Sequence, residues 1–255
     1  MKDKLEQIYQ KITDTIKQGG QPVFAVFDFD NTCIVNDIGD AVLAFTARDN
    51  LFKDKTLLNG EFENYSKAVF ENYHKLYDGG QIKEAYEFMA KTLSGFSVDE
   101  IKSLVDEAIK FEGEEINTAE LFGRKINKGI KPRKEIVELV GFLKNNKVEV
   151  WIVSASSEIL VRQAMEHFNI KANLISVRNV VVDGKITNEL EKPLSIYEGK
   201  VDCIKKFISQ DKKPLLGVGD SMNDLPMLEY CEIKVVVDRQ NELAKKAKQN
   251  NWFLI

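Results

Sequence analysis

From about residue 133 to the end of the chain, short apolar segments alternate with helical ones, and this alternation narrows the choice of fold more than any other feature. The strand-like runs are VEVWIV (148–153), ANLISV (172–177), PLLGVG (214–219) and EIKVVV (232–237). Helical patterns cover 133–145, 156–168, 198–209 and roughly 222–229. Strands joined through helices make right-handed crossovers, so the expectation is a parallel sheet flanked by helices. One further apolar run stands far upstream, in VFAVFDFDNTCIV (23–35), where Val23, Phe24, Val26 and Phe27 read as a strand buried on both faces. It follows a helical stripe of Leu5, Ile8, Ile12 and Ile16 and a break at Gly19-Gly20. Between this run and the later strands, residues 37–125 carry helical periodicity and little strand signal. The predicted organisation is therefore an α/β chain with a discontinuous Rossmann-like core, 1–36 and 126–255, and an inserted α-helical cap, 37–125. Asp-Gly within VVVDGKITNEL (180–190) signals a hairpin.

In an open parallel sheet, ligands bind beyond the carboxyl ends of the strands. Polar residues collect there in this sequence. Asp28 and Asp30 end the first strand, although an unpaired buried carboxylate is costly. In extended chain, side chains at i and i+2 point the same way, so both can face one site. Ser154 ends the second strand, Lys200 lies near a helix start, and GDSMNDLPML (219–228) places Asp220 and Asp224 after the next strand. Clustered carboxylates suit a hard cation such as Mg²⁺. Lys200, the Ser154 hydroxyl and the N–H groups that follow it at a helix start suit phosphate oxygens. Each alone has a plainer reading: a turn for Asp-x-Asp, an N-cap for Ser154, a solvated surface lysine for Lys200. Together, in this order, they describe a phosphate-plus-magnesium site.

Composition removes several classes. The net charge of -4 and the lack of a basic stripe argue against nucleic acid. No run of about 18 apolar residues is present, so no membrane partner is expected. The N-terminal segment is too charged for a secretory signal. Cys33, Cys203 and Cys231 are few and widely spaced, which suggests neither disulfides nor zinc and fits a cytoplasmic location. A monomer and a homodimer are equally compatible with the sequence.

Asp28-Phe29-Asp30-Asn31-Thr32 resembles the D-x-D-x-T signature of the haloacid dehalogenase superfamily. Ser154, Lys200 and GDSMNDLPML resemble its second, third and fourth motifs, and the insertion resembles the first type of cap in that superfamily. The chain looks closest to phosphoserine phosphatases and their phosphocholine phosphatase relatives. The resemblance implies the haloacid dehalogenase fold and a Mg²⁺-dependent phosphomonoester hydrolase acting on a small phosphorylated metabolite. Asp28 would be the nucleophile that forms an aspartyl-phosphate, and Asp30 the acid and then the base. The resemblance further implies that Mg²⁺ is held by Asp28, the Asp30 backbone carbonyl and Asp220, with Asp224 supporting that shell. Lys200, Ser154 and the Ala155 N–H would neutralise phosphate, Asn223 would orient phosphate or water, and Thr32 would brace the loop and aim Asp30. The second aspartate favours phosphoryl transfer over dehalogenation. A phosphotransferase or mutase of the same superfamily, or a non-catalytic binding protein on the same fold, are the competing readings.

The insertion bears on the substrate. Asp37 lies where phosphoserine phosphatases place an acid for the substrate amino group, and Asp40 is a second candidate; both also suit a helix N-terminus. Residues 49–123 contain no Arg to meet a substrate carboxylate, and Ser154 is followed by Ala-Ser-Ser-Glu rather than Gly-Gly-Phe. Phe62, Tyr65, Phe70, Tyr73, Tyr77, Tyr86, Phe88 and Phe96 make the cap aromatic, which suits either core packing or a quaternary ammonium. Phosphoserine and amino-alcohol phosphates such as phosphocholine or phosphoethanolamine both remain open on these residues.

Overall fold

The computed structural model describes residues 2–19 and 24–255; Gly20 and Val23 lie outside the described residues. Helix α1 (Lys2–Gln18) is followed by strand β1 (Phe24–Phe27) and a two-residue strand β2 (Ile34–Val35). The insertion then supplies α2 (Ile38–Arg48), α3 (Tyr65–Asp78), α4 (Ile82–Lys91), α5 (Val98–Glu112) and the ribbon β3 (Asn117–Leu121) and β4 (Arg124–Lys128). The chain returns through β5 (Lys131–Pro132), α6 (Lys134–Asn145), β6 (Glu149–Ser157), α7 (Glu158–His167) and β7 (Asn173–Val177). A hairpin of β8 (Asn179–Val182) and β9 (Lys185–Leu190) precedes α8 (Glu198–Phe207) and β10 (Leu216–Gly219). The chain ends with α9 (Leu225–Tyr230), β11 (Ile233–Val236), α10 (Glu242–Gln249) and β12 (Phe253–Leu254).

The central sheet has the order β12-β11-β10-β1-β6-β7, and each pairing within it is parallel. From β1 the chain first builds outward through β6 and β7, then crosses back to lay β10, β11 and β12 on the other side. The order therefore reverses at β1, and a crevice opens beyond the carboxyl ends of β6, β1 and β10. Strand β1 is buried along its whole length, which explains why its sequence is apolar without alternation. Leu5, Ile8 and Ile12 of α1 are buried against the sheet layer, and Tyr9 stacks on Phe142 of α6 with ring centroids 4.1 Å apart. Burying three such aliphatic side chains favours docking by about 1.5–3 kcal/mol each before entropy is counted.

The insertion is not a separate ball. Helix α2 has two apolar faces: Ile38, Val42 and Phe45 join the main core, with Leu104 and Val105 of α5 and Leu160 and Val161 of α7. Its other face places Leu43, Ala44 and Ala47 in a second core with Val69, Phe70 and Tyr73 of α3 and Met89 of α4. Asp37 caps α2, accepting from the Asp40 N–H at 3.0 Å, and Ser97 with Glu100 forms a reciprocal capping box at α5.

Two parts of the fold differ from the sequence expectation. The insertion contains a β-ribbon, and the boundary expected between 125 and 126 cuts through β4. The inserted part continues through Lys128, because Leu121, Phe122 and Ile126 of the ribbon pack on the second core. The ribbon lacks a fully buried face, so its strands show no apolar alternation that could betray them. The edge strand β12, only two residues long, and helix α10 also carried no reading in the sequence.

Candidate active site

The loop after β1 sets the geometry. Phe27 and Phe29 are buried in the main core, while Asp28 and Asp30 border the cavity at the sheet's switch point. The chain then turns sharply: the Cys33 N–H returns to the Phe29 carbonyl at 2.8 Å, and Asn31 takes a left-handed φ of 59° that asparagine tolerates better than most residues. Gly219, at the end of β10, lies so close to Asp224 that a Cβ there would stand 2.5 Å from the Asp224 Cβ. A side chain at 219 would push the fourth motif away from β1.

Asp28, Asp220 and Asp224 each offer a carboxylate oxygen within 4.8 Å of one another, all buried. An all-oxygen, anionic donor set fits a hard cation such as Mg²⁺. The Asp30 side chain belongs elsewhere: Oδ1 accepts from the Ile38 N–H at 2.8 Å, and Oδ2 from the Ser156 hydroxyl at 2.7 Å. Asp224 already accepts three hydrogen bonds, since Oδ2 takes the N–H groups of Asp220 (3.0 Å) and Ser221 (3.2 Å) while Oδ1 takes Lys200. Asp220 accepts Thr32 Oγ1–H at 3.3 Å and Arg239 Nη1–H at 2.7 Å.

Lys200 is fully buried rather than solvated, and its ammonium joins Asp28 Oδ1 at 2.7 Å and Asp224 Oδ1 at 2.6 Å. Burial alone would lower its pKa, but Asp224 and Asp28 together hold it above the ordinary lysine value. The acids shift the same way, which for them disfavours the charged form. Burial, then the neighbouring Asp224 charge, raises Asp28 well above a normal carboxyl in spite of Lys200. Asp30 is pushed up to about 6, chiefly by burial, with the Ile38 and Ser156 hydrogen bonds opposing. Asp220 is likewise raised to about 6, by burial and by Asp224. A cation placed among these carboxylates reverses that tendency.

Three expected contacts fall differently. Thr32 bonds Asp220 rather than Asp30, because the turn at Asn31 swings its hydroxyl toward the fourth motif. The Ser154 hydroxyl is fully buried and accepts the Ser156 N–H at 3.0 Å, so Ala155 and Ser156, not Ser154, border the cavity. Strand β6 runs on through Ser157 before α7 begins, which carries Ser154 behind the cavity wall. Asn223 Oδ1 accepts the N–H of Tyr197, a residue held at φ 49°, so its amide NH₂ is the end left for an anion.

The cavity has a volume of ≈ 240 Å³, and the insertion forms its upper wall. Asp37 and Asp40 face it from the start of α2, and Tyr73, Tyr77 and Tyr86 from α3 and α4. Tyr73 donates to Asp40 Oδ1 at 2.7 Å. Burial, together with the charges of Asp30 and Asp40, raises the Asp37 carboxyl well above its ordinary value. Of the other aromatic residues in the insertion, Phe62 and Tyr65 pack edge to face at 5.9 Å away from this wall. Sequence reasoning missed Ser156 and Arg239. Ser156 was hidden beside the motif serine, and Arg239 follows β11 in a stretch without a motif to mark it.

Over residues 25–229 the chain matches the haloacid dehalogenase-like hydrolases, and it belongs to that family. Within the family it is a phosphatase. The phosphorylcholine phosphatase of Pseudomonas aeruginosa is 25% identical over 244 residues, 78% of this chain and 68% of that protein. The histidinol-phosphatase of Neisseria meningitidis serogroup C is 24% identical over 237 residues, 89% of this chain and 96% of that protein. A substrate-bound phosphoserine phosphatase shares the fold with a TM-score of 0.57 at 19% identity, covering 89% of this chain and 91% of that one. Among the described residues, no helix is long and apolar enough to cross a membrane.

Proposed function

We propose that this phosphatase hydrolyses a small phosphate monoester whose alcohol carries a cationic nitrogen, of the phosphocholine, phosphoethanolamine or amino-alcohol type. The observation that carries this reading is the contrast between the two walls of one cavity. Phosphate chemistry lines the sheet side, while three carboxylates (Asp37, Asp40 and Glu112) and three tyrosines line the cap side. Acids among aromatic faces suit an ammonium group. Both arginines bordering the cavity are already engaged, Arg124 bidentately by Asp78 at 2.7 and 2.9 Å and Arg239 by Asp220. Lys125, exposed on the ribbon, is the remaining lysine or arginine among the described lining residues. A leaving group with its own carboxylate, as in phosphoserine, meets less support there. The names of two relatives agree, since choline and histidinol are both alcohols that carry a cation and no carboxylate.

In the proposed reaction the Asp28 carboxylate attacks phosphorus in line and forms an aspartyl-phosphate. Asp30 gives its proton to the departing alkoxide oxygen, then takes one from the water that hydrolyses the intermediate. Mg²⁺, held by Asp28 and Asp220 with Asp224 behind them, would supply positive charge to the phosphate oxygens. Lys200 neutralises Asp28 so that two anions can meet. Asn223 and the N–H of Ala155 would receive phosphate oxygens.

A screen of phosphomonoesters tests the substrate, comparing phosphocholine, phosphoethanolamine, histidinol phosphate, phosphoserine and sugar phosphates. Higher kcat/KM for the cationic, carboxylate-free esters is expected; a preference for phosphoserine or a sugar phosphate would overturn the reading of the cap. Chelator should abolish turnover and Mg²⁺ restore it.

A further inference from the structure

The two nearest donors to the Asp30 carboxylate are of different kinds. The Ile38 backbone N–H gives to Oδ1 at 2.8 Å, and the Ser156 hydroxyl meets Oδ2 at 2.7 Å. An amide N–H can only donate, so the oxygen that receives it is a poor place for a proton. A hydroxyl both donates and accepts, and can therefore serve an ionised and a protonated oxygen from the same position. Ser156 is 2% exposed and borders the cavity. Its backbone is anchored in turn, because the Ser176 hydroxyl donates to the Ser156 carbonyl and lies 3.4 Å from that of Ser154. The hydroxyl of Ser154, the residue that matches the second motif, accepts the Ser156 N–H and gives Oδ2 a longer hydrogen bond, 3.5 Å against 2.7 Å from Ser156.

We propose that the catalytic proton of Asp30 resides on Oδ2, and that Ser156 is the positioning residue that keeps this oxygen in one place through both protonation states. This rests on the reading of Asp30 as the general acid given above. In the first step an Asp28 oxygen bonds to phosphorus as the P–O bond to the leaving group breaks, and the O–H bond at Oδ2 breaks with it. The proton joins the leaving oxygen, which keeps the electron pair of the broken P–O bond. Oδ2 is left ionised, and the Ser156 hydroxyl turns to donate to it. In the second step the oxygen of a water bonds to phosphorus, its proton goes to Oδ2, and the bond between phosphorus and Asp28 breaks. Ser156 then accepts from the new O–H. No other reactant is needed. A chain with Gly-Gly after the motif serine lacks a hydroxyl at this point, so this contact belongs to the Ser-Ala-Ser-Ser run of the present sequence.

The test compares kcat/KM for phenyl phosphate and 4-nitrophenyl phosphate, two esters of similar shape that differ in how much the leaving oxygen needs a proton. The ratio kcat/KM reports the steps up to phosphoenzyme formation, so the shared hydrolysis step does not blur it. Asp30→Asn should lose roughly a hundredfold more on phenyl phosphate than on the nitro ester. Ser156→Ala should show the same bias at roughly tenfold, and Ser156→Thr should restore most of it. Ser154→Ala should lose equal factors on both esters. Ser156→Gly replaces the alanine variant if the latter does not fold, as judged by its unfolding midpoint. Equal losses on both esters for Ser156→Ala, or a bias that appears with Ser154→Ala instead, would overturn the proposal while leaving Asp30 as the acid. Absence of bias in Asp30→Asn would remove the acid assignment, and the role of Ser156 with it.

Discussion

The two walls of the cavity are built by opposite rules. On the sheet side, Asp28, Asp220, Asp224 and Lys200 are buried and tied to one another by short hydrogen bonds. On the cap side Asp37 is fixed as the cap of α2, but Asp40 is less constrained, with its carboxyl open to the cavity and the Tyr73 hydroxyl at one oxygen. The first arrangement is costly and rigid, so it suits a reaction that is the same for every substrate. The second is adaptable, since changing one side chain there alters which alcohol is met without touching the phosphate. The sheet wall therefore determines the chemistry and the cap wall the molecule.

This division can be broken first at the nucleophile. Asp28→Asn should lower kcat by roughly a thousandfold or more for every ester while far-ultraviolet circular dichroism stays native. Next comes the buried cation. Lys200→Met leaves Asp28 and Asp224 facing each other without a partner, and should cost about 3–5 kcal/mol in denaturant unfolding without metal. A loss near zero would mean that the ion cluster is not part of the stability of the sheet wall.

The cap side should respond selectively. Asp40→Asn should raise KM for phosphocholine about tenfold, an effect of the size expected for one charge a few ångström from an ammonium. Phenyl phosphate, which carries no cation, should change far less. Equal effects on both esters would erase the distinction between the walls. The smallest expected effect concerns His74 on α3, whose pKa is lowered to about 4 by burial and by Arg124. Its folded value lies below the unfolded one, near 6.5, so the unfolded chain binds the extra proton in between. Stability contributed by neutral His74 is therefore present above about pH 6.5 and is lost as pH falls toward 4. His74→Gln should flatten that part of the melting-temperature profile between these pH values; an unchanged slope would assign it to other groups.

Much of the sheet wall was legible in the sequence because parallel-sheet topology brings strand ends together whatever lies between them. Asp28 and Asp220 are 192 positions apart in the chain, yet β1 and β10 are neighbours in the sheet. The direction of single side chains was less legible. Whether Thr32 reaches Asp30 or Asp220 depends on one left-handed residue, Asn31, and whether Ser154 or Ser156 borders the cavity depends on where β6 ends. The polar ribbon β3–β4 was invisible for a different reason: strands without a buried face leave no periodic trace.

The double-faced helix α2 has a mechanical consequence. Lifting the insertion as one piece would tear Ile38, Val42 and Phe45 out of the main core, together with the α5 residues packed beside them. At about 1.5–3 kcal/mol for each such side chain, that movement is expensive. The part comprising α3, α4 and the ribbon shares the second core with Leu43, Ala44 and Ala47 of α2, and Ala90 of α4 packs in addition against Ala155, Val177, Leu194 and Ile196 on the sheet side. The insertion is thus tied to the sheet at two places, α2 and α4, and moving either half of it breaks apolar packing, so a wide opening of this roof is costly.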